Sequence, residues 1–312
     1  MRLVVAIGGN ALLTRGEELS AENQRRNMAQ SAHALAQIMR DHEVILVHGN
    51  GPQVGLLALE SAAFKEAPLY PLDVLGAESQ GMIGYIIEQE LRNVMPERRI
   101  VTLLTQTLVD AGDPAFAHPT KPIGPVYAEA EARELASTRG WAIAPDGKNF
   151  RRVVPSPQPV DMLERQTIDD LVTQHIIVIC AGGGGIPVTQ GADKKIIGSE
   201  AVIDKDLAAS LLARKLKADR LIILTDVDAV YLNWGKDSQE KIGKTDAAKL
   251  RSMDFAKGSM GPKVEAVCRF VEATGNKASI GSLAHAGDVV SGKSGTHLMG
   301  ERGPSQANRI HD

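Results

Sequence analysis

The chain has 312 residues, 43% of them apolar and 23% charged. That is too apolar for intrinsic disorder, and at roughly 100–200 residues per domain it allows one large or two ordinary domains. The 35 Lys and Arg against 38 Asp and Glu leave a net charge of −3, so no basic excess exists to neutralise a run of phosphates and nucleic acid is not expected as a partner. Glycine is over-used, at 30 residues where the average is near 7%, while aromatic residues amount to 5 Phe, 2 Trp and 4 Tyr.

The apolar run Leu3 to Ile7 at the N-terminus is too short for a signal-peptide core, and no run approaches the roughly 20 residues of a membrane span. A soluble, cytoplasmic protein without a membrane partner is the expectation. Further runs follow at Val44–Val47, Ile100–Leu104, Ile176–Cys180, Leu221–Leu224 and, more weakly, Lys277–Ile280. Short, Ile- and Val-rich and without polar alternation, they predict strands covered on both faces. Amphipathic stretches between them, 23–40, 74–94 and 207–216, predict helices. Alternating strand and helix implies an α/β fold with a parallel sheet and right-handed crossovers, whose ligands sit beyond the carboxyl ends of the strands. The two cysteines, Cys180 and Cys268, lie in apolar surroundings and read as buried reduced thiols.

The loops after the strands are where the glycines gather: Gly8-Gly9-Asn10, His48-Gly49-Asn50-Gly51-Pro52 and Gly182 to Gly185. Glycine lets backbone N–H groups face a ligand directly, and a following helix N-terminus adds partial positive charge. Each loop taken alone reads equally well as a tight turn. Three of them on one sheet edge predict an anion cradle.

From about Asp110 to Pro157 the alternation breaks, and seven prolines (114, 119, 122, 125, 145, 155 and 157) exclude this stretch from the central sheet. It reads as an inserted, protruding subdomain of hairpins and one short helix, either decoration or a lid that brings a charged side chain over the site. Farther on, Gly287-Asp288-Val289-Val290-Ser291-Gly292-Lys293-Ser294 matches a phosphate-binding-loop pattern letter for letter. No buried strand leads in and no helix leads out, so Gly292-Lys293-Ser294 reads as a surface turn between a helix and a strand.

Phosphoryl transfer needs cations where charge spreads over the moving group. Lys121 lies between prolines on the excursion, and Lys205 and Asp206 follow Asp204, which is placed to cap the next helix. Lys263 follows Gly261-Pro262 in the first turn of a further helix, the end that disfavours a cation, so an anionic partner is expected.

Nine segments in order resemble the carbamate kinases of the amino-acid kinase fold. They are LVVAIGGNAL (3–12), HGNGPQV (48–54), SQGMIGY (79–85), TKPIGP (120–125), RRVVPSPQP (151–159), GGGGIPV (182–188), EAVIDKD (200–206), LTDVDAVY (224–231) and GSMGPKVE (258–265). The resemblance implies a three-layer αβα sandwich with an open, mostly parallel sheet of about eight strands, a domain over 1–300 with the protruding subdomain at 110–157, and a homodimer. It implies reversible transfer between carbamoyl phosphate plus ADP and ATP plus carbamate. The N-terminal half would hold carbamoyl phosphate, and the half from about residue 175 the nucleotide. Gly8, Gly9, Asn10, Gly49, Asn50, Gly51, Gly183 and Gly184 would bind the transferring group, with Lys121, Lys205 and Lys263 neutralising it and Asp206 holding the lysines. Thr225, Asp226, Tyr231 and Met260 would line the nucleotide pocket. Mg²⁺ would arrive with the nucleotide, held by phosphate oxygens and water and not by protein side chains. Arginine fermentation and breakdown of purine-derived carbamoyl compounds would use the same site.

One position sets the chain apart from sibling kinases. Where they carry a lysine in the first strand, this chain has Ala6. The missing charge is then expected from Lys121. A sibling kinase of amino-acid carboxylates and a non-catalytic sensor of carbamoyl phosphate or nucleotide are the competing readings; Ala6 speaks against the first and the retained charges against the second. Two departures from the family are Asp146-Gly147-Lys148-Asn149-Phe150, where many members have Gly-Arg-Gly-aromatic, and 189–199, expected as a surface loop. Residues 301–312 have no counterpart and are expected as a flexible tail.

Overall fold

The computed structural model describes residues 1–300 apart from 15, 65, 67 and 257, and apart from the side chain of Asn10. The tail expected over 301–312 lies outside the described residues. Six apolar runs form the heart of one eight-stranded sheet, in the order Lys244–Thr245, Thr296–Leu298, Lys277–Ser282, Arg220–Thr225, Arg2–Ile7, Glu43–His48, Ile177–Cys180 and Ile100–Thr102. Neighbours are parallel except where Thr296–Leu298 runs against Lys277–Ser282.

The sheet separates two apolar layers, as the absence of polar alternation requires. Val4 and Ala6 face one layer, shared with Ala208, Ala209 and Leu212 of the helix Lys205–Lys215 and with Val267 and Val271 of the helix Met260–Thr274. Leu3, Val5 and Ile7 face the other, against Met28 and Leu35 of Ala21–Met39 and Ile83 and Ile87 of Leu72–Val94. Cys180 and Cys268 are both buried free thiols. Among the described residues no helix is long and apolar enough to cross a membrane.

A second sheet joins Ile196–Gly198, Ile186–Gln190, Gln106–Val109 and Pro159–Met162. Its first two strands form an antiparallel hairpin over most of 189–199, where a loop is expected from sequence. Between Val109 and Pro159 the chain makes a third sheet, Lys121–Tyr127, Asn149–Val154 and Ile143–Asp146, with the helix Glu129–Arg139.

Two contacts seat this excursion on the helix Gly51–Ala63. Ile123 and Val154 are buried in a small cluster with Val54, Ala58, Leu72, Leu75 and Val202. Beside them, Gly55 meets Gly124 so closely that a Cβ on Gly55 would fall 2.1 Å from the Gly124 Cα. Gly124 has φ +70° and sits where the pairing of Lys121–Tyr127 with Asn149–Val154 changes register, a bulge that glycine permits.

The stretch 287–294 is the helix Ala286–Ser291 followed by a turn, with Gly292 at φ +83°, and then the strand Thr296–Leu298. That is a turn between helix and strand, without the strand-to-helix geometry of a phosphate loop.

Candidate active site

The three glycine loops follow adjacent strands, Arg2–Ile7, Glu43–His48 and Ile177–Cys180, and therefore share one edge of the sheet. The first two also adjoin a cation. A Cβ on Gly49 would lie 3.4 Å from Cδ of Lys205 and 3.5 Å from the amide nitrogen of Gly9. Gly9 and Gly51 face open space, where a Cβ would meet nothing within 4 Å beyond its own stretch of chain.

The tetraglycine loop is glycine for a different reason. Gly182 packs on the His48 ring, where a Cβ would fall 2.3 Å from Cε1, and Gly183 packs on the Asn50 amide at 2.2 Å. Gly184 abuts the carbonyl oxygen of Ile203, and Gly183, Gly184 and Gly185 all have positive φ. Protein atoms fill the places of the absent side chains, so at these positions the glycines serve close packing and left-handed backbone. The Asn50 amide nitrogen donates to Ser79 Oγ at 2.9 Å, which fixes the side chain over Gly183. His48 is 1% exposed, and burial, helped by the charge of Lys205 and opposed by the bond to the Gly49 carbonyl, lowers its pKa to about 4. A neutral imidazole therefore supports the loops at physiological pH.

The charged residues converge through two carboxylates. Asp204 caps the helix Lys205–Lys215, its Oδ1 accepting from the backbone N–H groups of Asp206 at 2.9 Å and Leu207 at 3.3 Å. Asp206, in the first turn, receives Lys205 Nζ on Oδ1 at 2.5 Å and Lys263 Nζ on Oδ2 at 3.2 Å. Lys263 reaches it from the first turn of Met260–Thr274, so the cation at the unfavourable end of that helix has its anion. Pro262 is the third residue of this helix, which begins two residues earlier than the sequence suggests. Lys121, at the start of its strand on the excursion, places Nζ 2.6 Å from Asp204 Oδ2. Three ammonium groups and two carboxylates thus form one cluster at the end of the sheet.

Burial works against the charge on Asp206, but the two lysines override it and hold the carboxyl below its usual range. Lys205 is shifted down, burial outweighing its carboxylate partners, whereas at Lys263 burial is outweighed by Asp206 and the pKa rises. The two lysines differ because Lys205 is the more enclosed, while Lys263 also feels the carboxylate of Asp226.

Of the residues expected at a nucleotide, Thr225 at the end of the strand Arg220–Thr225 and Asp226 just after it line a cavity of about 370 Å³ with Gly8, Ser282 and Gln30. Tyr231 stands on the hairpin Val230–Leu232 and Glu240–Ile242, where its hydroxyl donates to Asp228 Oδ1 at 2.7 Å and its ring meets Trp234 at 5.3 Å. Met260 begins the helix that carries Lys263 and packs against the core. Neither Tyr231 nor Met260 lines that cavity. Ala6, where sibling kinases carry lysine, is fully buried beneath the helix Lys205–Lys215.

Sequence reasoning finds Asp204 as a cap and misses its bond to Lys121, 83 residues away. It likewise misses Ser79 and the Gly55–Gly124 contact, whose only sequence signal is small residues within or just beyond the matched segments.

Residues 1–282 match the model of the amino acid kinase family. A carbamate kinase of Haemophilus influenzae is 52% identical over 299 residues, covering 96% of each chain, and one of Thermococcus kodakarensis is 46% identical, covering 96% of this chain and 99% of its own. A solved carbamate kinase of Giardia lamblia bound to AMP-PNP superposes with a TM-score of 0.88 at 42% identity, covering 96% of this chain and 98% of its own.

Proposed function

We propose a division of labour for this chain from one premise: it belongs to the amino acid kinase family and, within it, to the carbamate kinases. It is an ATP-dependent phosphotransferase, and its reaction moves a phosphoryl group between carbamoyl phosphate and ADP. The observation that carries the proposal is the cluster in which Lys205 and Lys263 share Asp206 and Lys121 joins through Asp204, beside the loops of Gly8, Gly9, Gly49 and Gly51.

In this reading the protein supplies charge and position and forms no covalent intermediate. With both carboxylates ionised the cluster carries one net positive charge. Asp206 spaces the Lys205 and Lys263 ammonium groups, so that both face the transferring phosphoryl group without reorganising during the reaction. Backbone N–H groups at Gly9, Asn10, Asn50 and Gly51 face the same group, while those of Gly8 and Gly49 donate to the carbonyls of Leu224 and Ile7 and so hold the two loops in place; Gly183 and Gly184 support the cradle from behind. Lys121 completes the cations, replacing the strand lysine for which Ala6 leaves no place.

The nucleotide would lie toward the C-terminal half, near Thr225, Asp226, Tyr231 and Met260. Mg²⁺, when bound, neutralises phosphate charge. Both oxygens of Asp206 are already engaged, which fits a metal held chiefly by phosphate and water. The half-exposed segment 110–157 acts as the lid that delivers Lys121. Exposed Tyr85 and Leu104, flanking the edge strand Ile100–Thr102, support a homodimer across that edge, and the same reading is of a cytoplasmic enzyme whose site would serve arginine fermentation or the breakdown of purine-derived carbamoyl compounds alike.

The test mixes the purified protein with carbamoyl phosphate and MgADP and follows ATP through a coupled assay. ATP forming in proportion to enzyme is expected. No ATP above the enzyme-free control would contradict the reading.

A further inference from the structure

The Asp204 carboxylate does two things at once. Oδ1 closes the first turn of the helix Lys205–Lys215, while Oδ2 accepts from the Lys121 ammonium at 2.6 Å. The two partners are unequally fixed. Asp204 has a side chain 10% exposed, with its oxygen tied to the backbone, whereas the Lys121 side chain is 31% exposed at the end of a flexible stem. A long ammonium side chain loses up to about 2 kcal/mol of rotamer freedom when it is held, so something must hold it. The excursion's backbone is seated by Ile123, Val154 and Gly124, and these contacts place the Lys121 Cα without deciding where its Nζ points.

We infer that Asp204 is the positioning residue for Lys121. It fixes the ammonium of the excursion at the end of the helix that carries Lys205 and Asp206, so that the third cation of the cluster is in place before the phosphoryl group moves. Asp204 also attracts Lys205 and Lys263, which places it within the field of the whole cluster. The inference rests on the proposed role of Lys121 and adds to it a residue that contributes to turnover by holding that lysine.

Asparagine separates the two jobs, because it caps a helix about as well as aspartate but carries no charge to hold an ammonium. In Asp204→Asn, the unfolding temperature should stay within about 2 °C of the parent, since the cap is kept. The kcat should fall about tenfold with the KM for ADP unchanged. Lys121→Ala should fall about 100-fold. The double variant should be no slower than Lys121→Ala alone, because residues acting as one unit do not add.

Wild-type turnover in Asp204→Asn beside a slow Lys121→Ala would overturn the positioning role and leave the role of Lys121 standing. Multiplying losses in the double variant would overturn it as well. Wild-type turnover in Lys121→Ala would remove Lys121 from the chemistry and Asp204 with it.

Discussion

The cations of the cluster are held in two different ways. Lys205 and Lys263 rise from helices rooted in the main apolar layer and meet a carboxylate whose side chain is only 3% exposed. Lys121 stands on a three-stranded sheet whose buried side chains are few, and it reaches the same place through one ion pair, a small apolar cluster and a close contact between two glycines. Two charges are therefore part of the core, and the third depends on how a separate element docks. Damage to the first pair should cost stability and activity together, whereas damage to the third should cost activity alone.

The largest effect is expected at Asp206. Asp206→Ala leaves two ammonium groups mutually repelling in a closed site, and breaking a buried pair in this way costs about 3–5 kcal/mol. Chemical denaturation should show that loss, and turnover should fall by at least about 1,000-fold. Full stability in this variant would erase the distinction between core cations and docked cation.

Gly55→Ala probes docking with no change of charge. The added methyl carbon would sit 2.1 Å from the Gly124 Cα, so the excursion must lift from the helix Gly51–Ala63. A displacement of about 1 Å at a reacting group can cost about 100-fold, and kcat should fall on that scale while the main sheet still unfolds near the parent temperature. Parent-like kcat would show that Lys121 does not depend on this contact.

How much of this was legible in the sequence depended on which physical signal each element carries. Five strands inside the sheet read directly because both faces are covered by apolar layers, and Ile100–Thr102 at its edge reads by the same apolar run. The hairpin Ile186–Gln190 and Ile196–Gly198 did not, since it contains Pro187 and closes through the exposed residues Gly191, Asp193 and Lys194. Lys244–Thr245 is too short to carry a pattern. At the site, glycine loops and lysines stood out by residue type, but the sequence alone does not show that His48, Asn50 and Ile203 pack against the tetraglycine loop and themselves require glycine there. Residue identity shows that backbone must come close to something; only the fold shows what. The join between Lys121 and Asp204 had no local signal at all.

A smaller effect is expected from pH. His48 is buried neutral with a pKa near 4 against 6.5 when free, so between those values the unfolded chain binds a proton that the folded chain does not. Stability should be fully present above about pH 6.5 and decline as pH falls toward 4, by roughly 3 kcal/mol in all. Denaturation of the parent and His48→Gln across this range should show a flatter profile in the variant; equal slopes would assign the decline to other groups. The smallest effect belongs to Lys293→Ala, in the turn after Ala286–Ser291. Its kcat and ADP affinity should match the parent, and a loss of tenfold or more would show that the motif-like stretch has a role after all.

The contrast between core and docked cations is tested most directly in Lys121→Ala, by measuring carbamoyl-phosphate-dependent ATP formation and thermal unfolding on the same preparation. The account predicts a kcat at least about 100-fold below the parent with an unfolding temperature within about 2 °C of it. Near-parental turnover, or a loss of stability as large as that of Asp206→Ala, would contradict it.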